Sequence, residues 1–152
     1  MTAAPERWVV LGLAHVRSPW FADVASWANA AVLPIDFLKC LSAEEVRARL
    51  TSGRAFSALL IDASLTSLDR DLVDEATSTG CAVVVVTGGR ADPTWTQLGA
   101  SAVLAPDFEP GALLDVLAVE RPLVVGYSMG GAIAQLLARH HRDRIAGIVL
   151  GA

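Results

Sequence analysis

Cys81-Ala82-Val83-Val84-Val85-Val86-Thr87-Gly88-Gly89 is the stretch that decides the fold. Its apolar run is too short for an ordinary helix and too uniform for a strand with one wet face. Such a run reads as a strand buried on both faces, central in a parallel sheet, and Thr87, Gly88 and Gly89 end it. Working outward, short β-branched runs alternate with segments of helical period. Upstream, strands are predicted at Trp8 to Leu13, Ile35 to Lys39 and Phe56 to Ile61. Ser18 before Pro19 reads as the N-cap of a first helix whose apolar stripe is Phe21, Val24, Ala25 and Ala28. Ser42 with Glu45 three residues on reads as a capping box, with Val46 and Leu50 facing inward and Gly53 closing the helix. A third helical segment lies within Ser67 to Thr79, acids early. Downstream come a short helix at Pro93 to Leu98, a strand at Ala102 to Leu104 and a helix at Pro110 to Ala118. Five such repeats predict an α/β fold, a flavodoxin-like doubly wound parallel sheet of order 2-1-3-4-5.

A sixth repeat of different character follows a junction near Val119 to Pro122: a strand at Leu123 to Gly126, a sharp turn at Ser128, a helix at Met129 to His141 and a strand at Ile145 to Leu150. No long linker separates it from the first 118 residues, so the sixth strand is expected to extend the same sheet at its edge. The last strand is too apolar to face water, and is expected to add as a seventh or to pair across a dimer.

Composition narrows the classes of function. With 53% apolar and 18% charged residues among 152, the chain is globular rather than disordered. Twelve basic against sixteen acidic side chains, a net charge of -4 and a single lysine, Lys39, leave no basic face for a phosphate backbone. No apolar run approaches the ~20 residues of a membrane helix, and no export signal is visible before Trp8. Cys40 and Cys81 lack the spacing of a zinc site or a disulfide framework, so two free, buried thiols in a cytoplasmic protein are expected.

Residues 1–118 resemble a response-regulator receiver domain, and more narrowly the receiver-like amino-terminal domain of actinobacterial septum-site-determining or CpaE-type proteins of the MinD/ParA class. The positions that carry the resemblance are Asp62 in Leu-Leu-Ile-Asp, where a phosphoacceptor follows the third strand, and Thr87 after the fourth. The receiver's lysine before Pro106 is replaced by Ala105, and its magnesium-holding acids after the first strand by Ala14, His15, Val16 and Arg17. Phosphoryl transfer relies on such groups to neutralise developing charge, so Asp62 and Thr87 read as a vestigial pocket. What remains of the resemblance is a surface for protein pairing. No Walker lysine occurs, and no nucleotide hydrolysis is expected.

Gly126-Tyr127-Ser128-Met129-Gly130-Gly131 and the following Ala138 to Leu150 resemble something else, the G-x-S-x-G nucleophile elbow and next strand of an α/β-hydrolase. The resemblance implies Ser128 as nucleophile, with Gly126 and Gly130 giving room for a tight strand-to-helix turn and the Met129 amide as an oxyanion donor. A serine needs a base. His140 is twelve residues further along the same helix, ~18 Å away; His141 is further; His15 lies about four strand spacings, ~19 Å, across the expected sheet. Ser128 is therefore expected to be a vestigial elbow too, in a hydrolase piece that a natural hydrolase would not end after Ala152.

Trp8, Trp20, Trp27 and Trp95 read as core or pairing-face residues, and Gly88-Gly89 as a plain turn rather than a phosphate cradle. The sequence alone thus predicts a hybrid chain: a degenerate receiver-like domain, residues 1–118, joined to a hydrolase-like extension, residues 119–152. It is expected to be a non-catalytic interaction module with no cofactor or metal, pairing with itself as a homodimer or with another protein. An esterase using Ser128 and a phosphoacceptor receiver using Asp62 are the competing expectations.

Overall fold

The computed structural model describes residues 7–89, 93–120, 123–127, 129–140, 145 and 147–151. Five strands, β1 (Trp8–Leu13), β2 (Ile35–Cys40), β3 (Ala58–Asp62), β4 (Ala82–Val86) and β5 (Ala102–Leu104), form one parallel sheet of order β2-β1-β3-β4-β5. They alternate with α1 (Pro19–Asn29), α2 (Ala43–Leu50), α3 (Arg70–Ser78), α4 (Pro93–Gln97) and α5 (Pro110–Glu120). This is the expected α/β architecture and order. The valine strand lies inside the sheet, between β3 and β5, and all five residues of β4 are buried.

Alternation along the strands divides the core. In register, Leu11, Leu59 and Val83 line up on one face, with Leu13, Ile61 and Val85 beside them, and they pack with Val46 and Leu50 of α2 and Leu72, Val73 and Ala76 of α3. On the opposite face lie Gly12 and Phe37. The Phe37 ring meets Phe21 of α1 edge-on, centroids 5.6 Å apart. A methyl group at Gly12 would run into the Phe37 and Phe21 rings. Gly12→Ala is therefore expected to destabilise the protein by about 2 kcal/mol, the usual cost of overpacking a tight core, read from its urea midpoint.

Side-chain caps open two of the helices, α2 and α3. At α2 the Glu45 amide donates to Ser42 Oγ at 3.2 Å, as the capping box requires, while the Glu45 carboxylate accepts from the Leu41 amide at 2.7 Å and from Arg49 at 2.9 Å. The α3 cap is Asp69, whose carboxylate accepts from Leu72 N at 2.9 Å, so the helix begins later than Ser67. Pro19 opens α1 as expected, but Ser18 gives its hydroxyl elsewhere and makes no side-chain cap. Both cysteines are buried and neither is in a disulfide. Burial pushes the Cys40 thiol up to about 11, against the pull of the Arg49 guanidinium and with a smaller push from Glu45.

The chain divides into two compact units, 1–114 and 115–152, with the boundary inside α5. In the second, β6 (Leu123–Tyr127) and β7 (Gly147–Gly151) form a parallel pair joined through α6 (Met129–His140). The sequence predicted that the sixth strand adds to the edge of the first sheet. Among the described residues it pairs only with β7, in a separate two-stranded ladder. β6 and β7 match over five residues, Leu123 with Gly147 through Tyr127 with Gly151. No helix among the described residues is long and apolar enough to cross a membrane.

Candidate active site

Asp62 ends β3 at the carboxyl edge of the first sheet. Its Oδ1 accepts from the Ser64 amide at 2.9 Å and from Ser64 Oγ at 2.7 Å; its Oδ2 accepts from Ser18 Oγ at 3.1 Å and Trp20 Nε1 at 3.2 Å. Burial alone would raise the carboxyl, but donation from Ser64, Trp20 and Ser18 outweighs it and holds it below the ordinary carboxylate range. These four donors fill the acceptor sites of a carboxylate. Asp62 is a clasp between β3 and the start of α1. Thr87 follows Val86, the residue in register with Asp62; its Oγ1 accepts from Gly89 N at 3.2 Å, which makes Thr87 to Gly89 a side-chain-closed turn. No group of three His, Cys, Asp or Glu side chains able to hold a metal ion occurs among the described residues.

The tryptophans are dispersed. Trp20 is 2% exposed, Trp27 meets Phe108 edge-on at 5.7 Å, and Trp95 packs against the core. The indole N–H of Trp8 is buried without a partner among the described residues.

The second candidate is the elbow. The five-residue strand β6 ends at Tyr127 and the twelve-residue helix α6 begins at Met129. One residue, Ser128, separates them, and it lies outside the described residues. Tyr127 and Met129 on either side are 71% and 84% exposed. The Tyr127 ring lies over Gly151 of the neighbouring strand, where an added Cβ would sit 2.8 Å from Cδ2. Gly130 has open space where a side chain would be. As the first residue of a helix, Met129 has an amide with no intrahelical acceptor, and the helix dipole adds positive potential there. His140 stands at the other end of α6, ~17 Å from Met129 along the axis; His141 falls outside the described residues.

β6 ends and α6 begins on either side of the central serine of G-x-S-x-G, the sequence context in which α/β-hydrolases carry that motif. A family model described as alpha/beta hydrolase fold matches residues 88–152, somewhat under half of the chain. No curated protein matches the chain. The match reaches upstream of residue 119, across β5 and α5, which carry no sharp motif of their own. It corrects two expectations. The expectation of a non-catalytic receiver-like module is overturned, since the finding points to hydrolase chemistry. So is the expectation of no enzyme, which had rested on the lack of a reachable histidine. The resemblance to septum-site receiver domains gains nothing from these comparisons.

Sequence reasoning singled out Asp62, Thr87, Gly126, Ser128, Met129 and Gly130. The structure sets Asp62 one register step from Thr87 and places Met129 and Gly130 at the head of α6. Ser18, Trp20 and Ser64 were missed as partners of Asp62. A serine two residues after an aspartate is a visible turn signal, but nothing local links Asp62 to Trp20.

Proposed function

We propose that this chain is an α/β-hydrolase-type enzyme that cleaves an acyl ester with Ser128 as nucleophile. One observation carries this: β6 and α6 leave a single residue between them, the central serine of Gly126-Tyr127-Ser128-Met129-Gly130. Ser128 Oγ adds to the ester carbonyl carbon while its proton passes to a base. The carbonyl oxygen becomes an oxyanion and takes a hydrogen bond from the Met129 amide. Collapse breaks the carbon–oxygen bond, the departing alkoxide takes the proton back from the base and leaves as the alcohol, and water hydrolyses the acyl-serine that remains. In this class the acid and histidine follow the nucleophile in chain order; His140, at the far end of α6, is too distant to serve. The two buried thiols, held in reduced form, go with a cytoplasmic setting.

Phosphonylation of serine by a fluorophosphonate requires an activated hydroxyl, so the reagent reports on base and nucleophile together. The expected result is one adduct per chain, located by mass analysis on Ser128. An unlabelled serine under conditions that modify a control hydrolase would sink the proposal.

A further inference from the structure

We propose that the free edge of β2 is a docking strip for an extended acidic segment of a partner protein, which adds as a strand beside it. This is independent of the hydrolase reading. β2 is an edge strand. Its register with β1, and the bond from Trp8 N to Pro34 O at 3.0 Å, turn the backbone groups of Pro34, Asp36 and Leu38 toward β1. Those of Ile35, Phe37 and Lys39 therefore face outward. Ile35 is already satisfied: its amide donates to Leu33 O at 2.9 Å, and its carbonyl accepts from the Arg7 guanidinium at 2.5 Å. The N–H and C=O of Phe37 and the N–H of Lys39 have no partner among the described residues.

A groove of about 520 Å³ runs along this edge, lined by all of Ile35, Asp36, Phe37, Leu38 and Lys39. Side chains alternate between faces along a strand, so what five consecutive residues share is the backbone edge. Ala25 and Ala28 of α1 make a low wall, which leaves room for a chain. Three cations line the groove against one carboxylate. Arg7 is paired with Asp36 at 2.8 Å. Lys39 and Arg54 have no carboxylate partner among the described residues; their charges lie over the Phe21 and Phe56 rings, 5.3 and 5.7 Å from the centroids. A strand entering the groove meets unpaired positive charge, which selects acidic side chains.

A second copy fits worse. In a two-fold antiparallel pairing through β2, opposed residues share a face, so Lys39 meets Ile35, Phe37 or its own copy and no carboxylate. Lysine on an edge commonly prevents pairing of like edges.

The test is an amide NMR titration of the full chain with the peptide Ac-Glu-Val-Glu-Val-Glu-NH2. The Phe37 and Lys39 amides are expected to shift downfield saturably. The double variant Lys39→Glu, Arg54→Glu, both exposed positions, should keep the native spectrum and bind at least about tenfold more weakly, as for opposed charges at an interface. The lysine counterpart of the peptide, and a glutamate peptide with methylated backbone nitrogens, should leave both amides unmoved. Any of three results would overturn the proposal: no shift at millimolar peptide, equal binding of the lysine or methylated peptide, or shifts that track protein concentration without peptide. The last would assign the edge to a second copy.

Discussion

Ester turnover by the Ser128→Ala chain is expected to fall by about four orders of magnitude or more, the scale on which serine hydrolases respond to loss of the nucleophile. The fold should be indifferent to the change, because Ser128 links β6 to α6 and a methyl group fits wherever a hydroxymethyl does. Far-UV circular dichroism of the variant should therefore superpose on that of the parent while hydrolysis of a p-nitrophenyl ester and phosphonate labelling both vanish. If turnover survives with Ser128 removed, the chemistry belongs to another group and the elbow is only a way of turning a strand into a helix. The Met129 amide cannot be removed by a side-chain change, which makes the serine the decisive position.

Asp62→Ala is the second large effect, and it falls on stability. The substitution strips four hydrogen bonds from an ionised acceptor and leaves the Trp20 indole N–H, on a side chain only 2% exposed, without its partner. A buried donor stripped of a charged acceptor costs about 3 kcal/mol, measurable as a lower urea midpoint. Asp62→Asn is expected to recover little, since its amide group would turn a donor toward a donor. The pH dependence has a definite sign. The folded carboxyl is held below its ordinary value of 3.8, so its contribution is fully present above that value and disappears as pH falls through the lower, folded one. The stability gap between the parent chain and Asp62→Asn should be flat at neutral pH and close below about pH 4. A gap that persists unchanged to pH 2 would mean that the charge of Asp62 is not what the donors hold.

How much of this was legible in the sequence depends on the range of the interaction. The valine strand β4 announces itself because burial on both faces leaves no polar position in the run. The Ser42 and Glu45 cap was legible because its partners are three residues apart. Ser18 was read as a cap by the same rule, yet its hydroxyl donates to Asp62 across the sheet edge; a long-range acceptor outcompeted the local one. The candidate nucleophile was seen from its spacing. The expectation of no enzyme weighed a missing histidine above a motif set between a strand and a helix, which the family match counts on the other side. The cationic lining of the β2 groove escaped notice because Arg7, Lys39 and Arg54 are scattered along the chain and meet only when β2 takes the edge.

The candidate nucleophile rides on the ladder of two strands, not on the ladder of five. Small ladders open at lower free energy than broad ones, so amide protons of β6 and β7 should exchange with deuterium well before those of β4. Warming the protein is then expected to erase phosphonate labelling several degrees before the ellipticity of the five-stranded sheet breaks. Thermal inactivation and thermal unfolding would be two events, and a melting curve alone would overstate the temperature at which the catalyst survives.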